Sequence, residues 1–286
     1  MIMVDFYVSW CPGISKCDDA LEYVRNSKLI KGVEGSYESD CFYRFEELGL
    51  NYSYHNPTFK EFDNISDENF ISDFEKNKLL RDGLKISAPG VVGFHPPKNA
   101  ERFENFTKNM KFIQSKFDFE VLIEPRPYWL KKDFENKKGF ERSYIQDYLL
   151  DDFKVKISSL DFLEKYMEEN NFGMLLDISH TRITILSLID GGFIDDTLDG
   201  FYIKLAKRLG NKIKQIHINH SKFTDGVYLD SHSMLEADCE AVRILKLISP
   251  YLKNIEFITL EITTGFKPLE HVKELEKEIL FIKDCF

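Results

Sequence analysis

The residues with most chemistry to offer are histidines and carboxylates, and they stand at recurring places. Residues 216–232 read IHINHSKFTDGVYLDSH, carrying His217 and then Asp230 with His232 two positions on. Alternate residues of an extended segment point the same way, so Asp230 and His232 can face one ion. Other such residues follow β-like runs. His55 opens His55-Asn56-Pro57, His95 opens His95-Pro96-Pro97, and Glu124 follows Val121-Leu122-Ile123. Asp177 and His180 bound Asp177-Ile178-Ser179-His180, and Glu261 follows the run 256–260. Singly, each reads as a turn, a helix cap or a rim ion pair. Together, five histidines and four carboxylates would be costly to bury without a partner ion. These donor types suit zinc, manganese or iron. Nine donors exceed the needs of one ion, so two or three divalent ions are expected. Clustered ions permit hydrolysis, one generating hydroxide while the others stabilise the attacking and leaving oxygens.

Bringing these residues together requires a fold in which strand ends converge. Strand patterns occur at residues 4–10, 29–37, 50–54, 91–94, 117–123, 172–176, 213–218 and 256–260. Helical patterns lie between them, at 15–27, 41–48, 66–80, 99–116, 160–170, 198–209, 239–252 and 269–281. Eight strands alternating with helices predict an α/β fold: one (β/α)8 TIM barrel spanning residues 1–286, with the active site where the strand C-termini meet. An open doubly wound sheet fits less well, because no G-x-G-x-x-G loop follows the first strand. Residues 128–156, charged and aromatic, read as an insertion or lid.

Composition narrows the class. The net charge of −10 argues against broad nonspecific nucleic-acid binding. Five scattered cysteines without a C-x-x-C pair suit reduced thiols, hence a cytoplasmic protein. No apolar run approaches a membrane span, no signal-peptide pattern opens the chain, and no obligate protein partner is evident.

The ordered set of turns resembles the xylose-isomerase-like TIM-barrel superfamily, and within it the endonuclease IV family. The matching pieces are His55-Asn56-Pro57, Phe94-His95-Pro96, Glu124, the D-x-x-H of Asp177 and His180, the H-x-N-x-S-K of His217 to Lys222, the D-x-H of Asp230 and His232, and the L-E-x-T of Leu260 to Thr263. The resemblance implies a zinc cluster held by all nine donors. Glu124 would bridge two ions, Glu261 would ligate metal beside the nucleophilic water, and His55 and His95 would hold a more exposed ion. It further implies a phosphodiesterase acting on DNA at abasic sites, with Glu261 and Glu124 catalytic. Arg126, Arg182, Lys98 and Lys222 would then hold substrate phosphate. Two loops depart from the family: Met234–Asp238 replaces a glycine-containing turn, and Thr181–Thr184 replaces a small loop.

Three alternatives accompany this expectation. The first is a sugar or keto-acid isomerase or epimerase, which needs one ion and two carboxylates moving a proton beside a carbonyl, supplied by Glu124, Asp177, His217 and Glu261. The second is a multinuclear iron enzyme oxidising cysteine-containing peptides. The third is a non-enzymatic metal scaffold. The substrate is accordingly a small phosphate or sugar, or a nucleic acid.

Overall fold

The computed structural model describes residues 4–9, 17–35, 41–56, 63–87, 90–134, 147–224, 226–262 and 267–286. Eight parallel strands close into a barrel: β1 (Asp5–Ser9), β2 (Ile30–Gly35), β3 (Asn51–Asn56), β4 (Val91–Phe94), β5 (Glu120–Ile123), β6 (Gly173–Asp177), β7 (Ile213–Ile218) and β10 (Phe257–Leu260), the last pairing with both β7 and β1. Each coincides with a strand pattern read from the sequence. The expected (β/α)8 barrel is the fold. A two-stranded antiparallel ribbon, β8 (His220–Thr224) with β9 (Val227–Ser233), rises between β7 and the helix Glu240–Ile248.

The period-two geometry of strands explains how the barrel positions its polar residues. Tyr7, Val91, Leu122, Leu175 and Phe257 form a separate apolar plug inside the barrel, with the Tyr7 and Phe257 rings 4.4 Å apart. Two residues further along β5 and β6 the same inward direction delivers Glu124 and Asp177, and four further along β10 it delivers Glu261. Register aligns them: Asp177 pairs with His217, His217 with Thr259, and His55 with Gly93.

Gly93 shows how tightly this layer is packed. A Cβ there would lie 2.7 Å from Leu175 Cδ1 and 3.1 Å from His55 Cδ2. Gly93→Ala should therefore cost about 1–3 kcal/mol of stability and displace the His55 ring. Denaturant unfolding and metal content measured together test this; unchanged stability with full metal content would show that the layer yields freely.

The helices differ from the expected ones at two places. Residues 66–80 do not form one helix. They break into Phe70–Asp73, a 3-10 turn Phe74–Lys76 and Lys78–Ile86, because Asn77 caps the last of these by accepting from Leu80 N at 3.1 Å. The helix Ile178–Asp190 is not among the expected helical patterns, although a cap is one reading open to Asp177, which is its N-cap. Ten of its thirteen residues are buried, so it carries no polar stripe to reveal its period. The extended piece expected at Asp230–His232 is part of the longer strand β9, paired with β8 in the ribbon.

The expected insertion at 128–156 is described only at its two ends, and residues 135–146 lie outside the described residues. Those ends are anchored. Trp129 and Leu149 form a bridge, Tyr128 N donates to Thr184 Oγ1 at 3.0 Å, and Trp129 Nε1 donates to the Tyr228 carbonyl at 2.8 Å. Part of the segment is a short helix, Asp152–Ile157. No helix among the described residues is long and apolar enough to cross a membrane. Cys17, Cys239 and Cys285 are free thiols.

Candidate metal centre at the barrel mouth

All nine residues singled out from the sequence meet at the C-terminal mouth. Their donor atoms form groups lying within 4.8 Å of one another: His55–His95–Glu124, His180–Asp230–His232 and Glu124–Asp177–His217–Glu261. A fourth group, Glu34–His55–His217, brings in a carboxylate that the sequence reading passed over.

Glu124 is the hub. It is fully buried at the end of β5. Its Oε2 lies 2.5 Å from His55 Nε2 and 3.1 Å from His95 Nε2. Its Oε1 lies 3.1 Å from His180 Nδ1 and 3.6 Å from His217 Nδ1. Glu261 reaches the same His217 nitrogen, with Oε2 at 3.1 Å. Asp177 does two things at once. Its Oδ1 accepts from His180 N at 2.6 Å, capping the helix Ile178–Asp190, and its Oδ2 faces the Asn219 amide at 3.5 Å. The cap fixes where His180 enters the mouth.

The ribbon delivers the last two donors. Asp230 Oδ2 lies 3.0 Å from His180 Nε2 and 3.3 Å from His232 Nε2. His232 has φ 42°, a left-handed conformation that costs a non-glycine residue free energy. That bend sets its Nδ1 3.0 Å from the Glu261 carbonyl oxygen.

Glu34 sits behind His217. Its Oε1 lies 2.8 Å from His217 Nε2, while Gln215 Nε2 donates to its Oε2 and Thr259 Oγ1 donates to the same oxygen at 3.4 Å. A carboxylate on the far nitrogen of a ligating imidazole fixes its tautomer and orientation. With Nε2 so engaged, Nδ1 faces Glu124 and Glu261. Glu34→Gln should therefore weaken metal affinity about 10- to 100-fold with the fold retained. A competition titration with a chromophoric chelator measures it, and an unchanged affinity would remove Glu34 from the site. The sequence signal was a carboxylate ending β2, at the same strand position as the other donors.

The charges respond to one another. Burial opposes ionisation of His217, yet Glu34, Glu261 and Glu124 outweigh it and hold that imidazole well above its usual range. His180 is raised in the same way, against burial, by Asp177 and Asp230. His232 is raised to about 10, against burial, by Glu261 and Asp230. In return Glu124 is held well below the carboxylate range and Glu261 falls to about 2, in both cases against burial. Asp177 is pushed up to about 7 by burial, and Glu261, Glu124 and Asp230 add to the rise against the pull of His180.

The residues fit a divalent metal. Glu124 Oε1, His180 Nδ1, His217 Nδ1, Asp230 Oδ1 and Glu261 Oε2 are buried and make no hydrogen bond. Buried polar atoms normally find partners, and cations among these five would satisfy all of them.

The four cations expected to hold substrate fare differently. Arg182 already has partners within the chain. It is 6% exposed, donates to Ser221 Oγ at 2.8 Å, pairs with Glu240, and stacks 3.8 Å from the Tyr228 ring centroid. Those partners fasten the ribbon to the helix Glu240–Ile248, while Arg182 Nε makes no hydrogen bond. Lys222 lies exposed on the ribbon. Lys98 pairs with Asp147 at 3.4 Å. Arg126 is buried beside His95 and donates from Nε to the Pro96 carbonyl at 2.6 Å.

No protein-family model matches the chain, and no curated protein resembles it in sequence. Solved structures match in fold. A D-tagatose 3-epimerase-like protein aligns with TM-score 0.56 at 15% identity, over 98% of both chains. D-psicose 3-epimerase from Clostridium cellulolyticum H10 aligns with TM-score 0.55 at 12% identity, over 99% of this chain and 96% of that one. The 3-keto-D-glucoside 4-epimerase YcjR from E. coli aligns with TM-score 0.53 at 13% identity, over 99% of this chain and all of that one. At such identities the likeness is one of fold. It nonetheless corrects the expectation of a phosphodiesterase cutting DNA at abasic sites: these full-length fold matches carry the names of two sugar epimerases and an epimerase-like protein.

Proposed function

We propose that this protein is a metal-dependent isomerase or epimerase acting on a small sugar or a related α-hydroxyketone. The observation that carries the reading is the group Glu124–Asp177–His217–Glu261, in which two carboxylates approach one imidazole nitrogen, at 3.6 Å and 3.1 Å. Epimerisation beside a carbonyl needs a base to take the proton from carbon and an acid to return one to the other face. Glu124 and Glu261, at the ends of different strands, would fill these roles. Asp177 and His217 would complete the hold on the ion, with Glu34 keeping His217 oriented. A bound divalent ion would polarise the substrate carbonyl. The fold likeness to D-tagatose 3-epimerase-like protein, D-psicose 3-epimerase and 3-keto-D-glucoside 4-epimerase supports the substrate class.

The remaining donors go beyond one ion. His55 and His95 with Glu124, and His180, Asp230 and His232, would hold one or two more, giving two or three in all. Zinc, manganese and iron all suit imidazole and carboxylate. The test is proton exchange. Metal-loaded protein is incubated with a panel of ketoses and their keto-glycosides in deuterated water, and metal content is read by elemental analysis of the same sample. Deuterium entering the carbon next to the carbonyl supports the reading. Two or three ions per chain with no exchange into any sugar would overturn it.

A further inference from the structure

Two buried arginines stand near the mouth; each has one buried nitrogen without a hydrogen-bond partner, Nε in Arg182 and Nη1 in Arg126, and they differ in whether an anion pairs the charge. Arg182 has hydroxyl, carboxylate and aromatic partners. Arg126, 5% exposed, donates one hydrogen bond, from Nε to the Pro96 carbonyl, and its Nη1 is buried with no partner. A guanidinium carries five N–H donors and cannot shed its charge. A buried cation without an anion is strongly unfavourable unless something completes it.

The location gives that imbalance a meaning. Arg126 lies two residues beyond Glu124, and the carbonyl it binds belongs to the residue after His95. Its charge also reaches the centre: His95 is held well below its usual range, first by burial and in part by Arg126. A second cation stands close by. Lys98 Nζ lies 4.6 Å from the centroid of the Tyr148 ring, and the Arg126 guanidinium carbon lies 6.0 Å from the same ring. Asp147, more than half exposed, pairs with Lys98, not Arg126. The buried Tyr128 hydroxyl, within electrostatic range of Arg126, is also without a hydrogen-bond partner.

We propose that Arg126, with Lys98 beside it, forms an anion subsite that selects substrates bearing a phosphate or carboxylate away from the reacting carbonyl. The planar fork suits both anions, and water could satisfy its N–H groups but not its charge. This deepens the isomerase reading and rests on it for the reacting part of the substrate.

The experiment compares a neutral ketohexose, its terminal phosphate ester and the matching sugar acid on metal-loaded wild type, Arg126→Gln and Arg126→Lys. Wild type should favour at least one anionic substrate by about 10- to 100-fold in kcat/KM, the range expected for hydrogen bonds to a charged group. The preference should collapse towards one in Arg126→Gln, through KM, and survive in part in Arg126→Lys, which keeps the charge if the Gln variant does not fold. Comparing the two anionic arms distinguishes phosphate from carboxylate. A wild type that treats neutral and charged sugars alike, or a preference unmoved in both variants, overturns the subsite while leaving isomerase activity standing. Anionic sugars that bind by calorimetry in an Arg126-dependent way, but never exchange a proton, would support the subsite and sink the isomerase reading.

Discussion

Glu261→Gln should lower turnover by about a hundred- to ten-thousand-fold while the barrel stays folded. The substitution is nearly isosteric, and it removes a charge that the centre uses twice. In the proposed mechanism Glu261 is one of two carboxylates that move a proton, and its Oε2 is one of the buried atoms without a hydrogen bond, 3.1 Å from His217 Nδ1. A neutral amide cannot act as base and is a weaker donor to a divalent cation. The backbone at this position should hold: Glu261 N donates to the Ile218 carbonyl at 3.1 Å, and its own carbonyl stays beside His232. The effect on catalysis should therefore fall mainly on kcat; the metal-free variant should still fold but melt below wild type at neutral pH, because it lacks the carboxylate that pairs with His217 and His232. The decisive pair of measurements is deuterium wash-in and metal content. Lost exchange with metal still bound assigns the proton-moving role to Glu261. Lost exchange that returns on adding excess metal reduces its role to ligation. Wild-type exchange in the variant would take Glu261 out of the mechanism.

What could be read from sequence follows from where each donor stands. Strands of a closed parallel barrel are buried on both faces, so they read as short apolar runs, and whatever polar residue ends such a run is at the mouth. His55, His95, Glu124, Asp177, His217 and Glu261 all stood out for that reason, and the alternation of Asp230 and His232 matched a real strand, β9. Glu34 followed the same rule but was hidden, because β2 contains Gly32 and Gly35 and reads as a weak strand. Gly32 is there for a tertiary reason: a Cβ would lie 2.5 Å from the Tyr7 ring. Likewise, sequence shows the charge of Arg182 but not the Glu240 and Ser221 that pair with it. The functional class went wrong for a related reason. Donor types and order are shared among barrels with different chemistry, and it was the whole-chain fold likeness that redirected the reading.

Chelation should abolish turnover, and the stability of the metal-free protein should depend on pH in a direction fixed by the donors themselves. Without an ion, imidazolium and carboxylate groups pair with each other. His232 is raised to about 10, so its stabilisation is complete below the unfolded value near 6.5 and fades as pH climbs towards 10. Glu261 is lowered to about 2, so its contribution is complete above about 4.5 and fades as pH falls towards 2. Asp177, raised to about 7, adds a loss with rising pH between about 4 and 7. The metal-free protein should thus be most stable around pH 5 and weaken steadily through pH 7 to 9. Metal binding runs the other way, because ligating histidines must be neutral and bound protons must leave. The gap in melting temperature between loaded and metal-free protein should therefore widen with pH. At metal concentrations of about 100 to 1,000 times Kd, ligation adds roughly 3–4 kcal/mol, equivalent to about 10 °C. Melting curves from pH 5 to 9, with and without chelator, measure that gap. A gap that stays constant or closes as pH rises would mean these histidines are not metal ligands, and turnover persisting after complete metal loss would sink the metal-dependent reading itself.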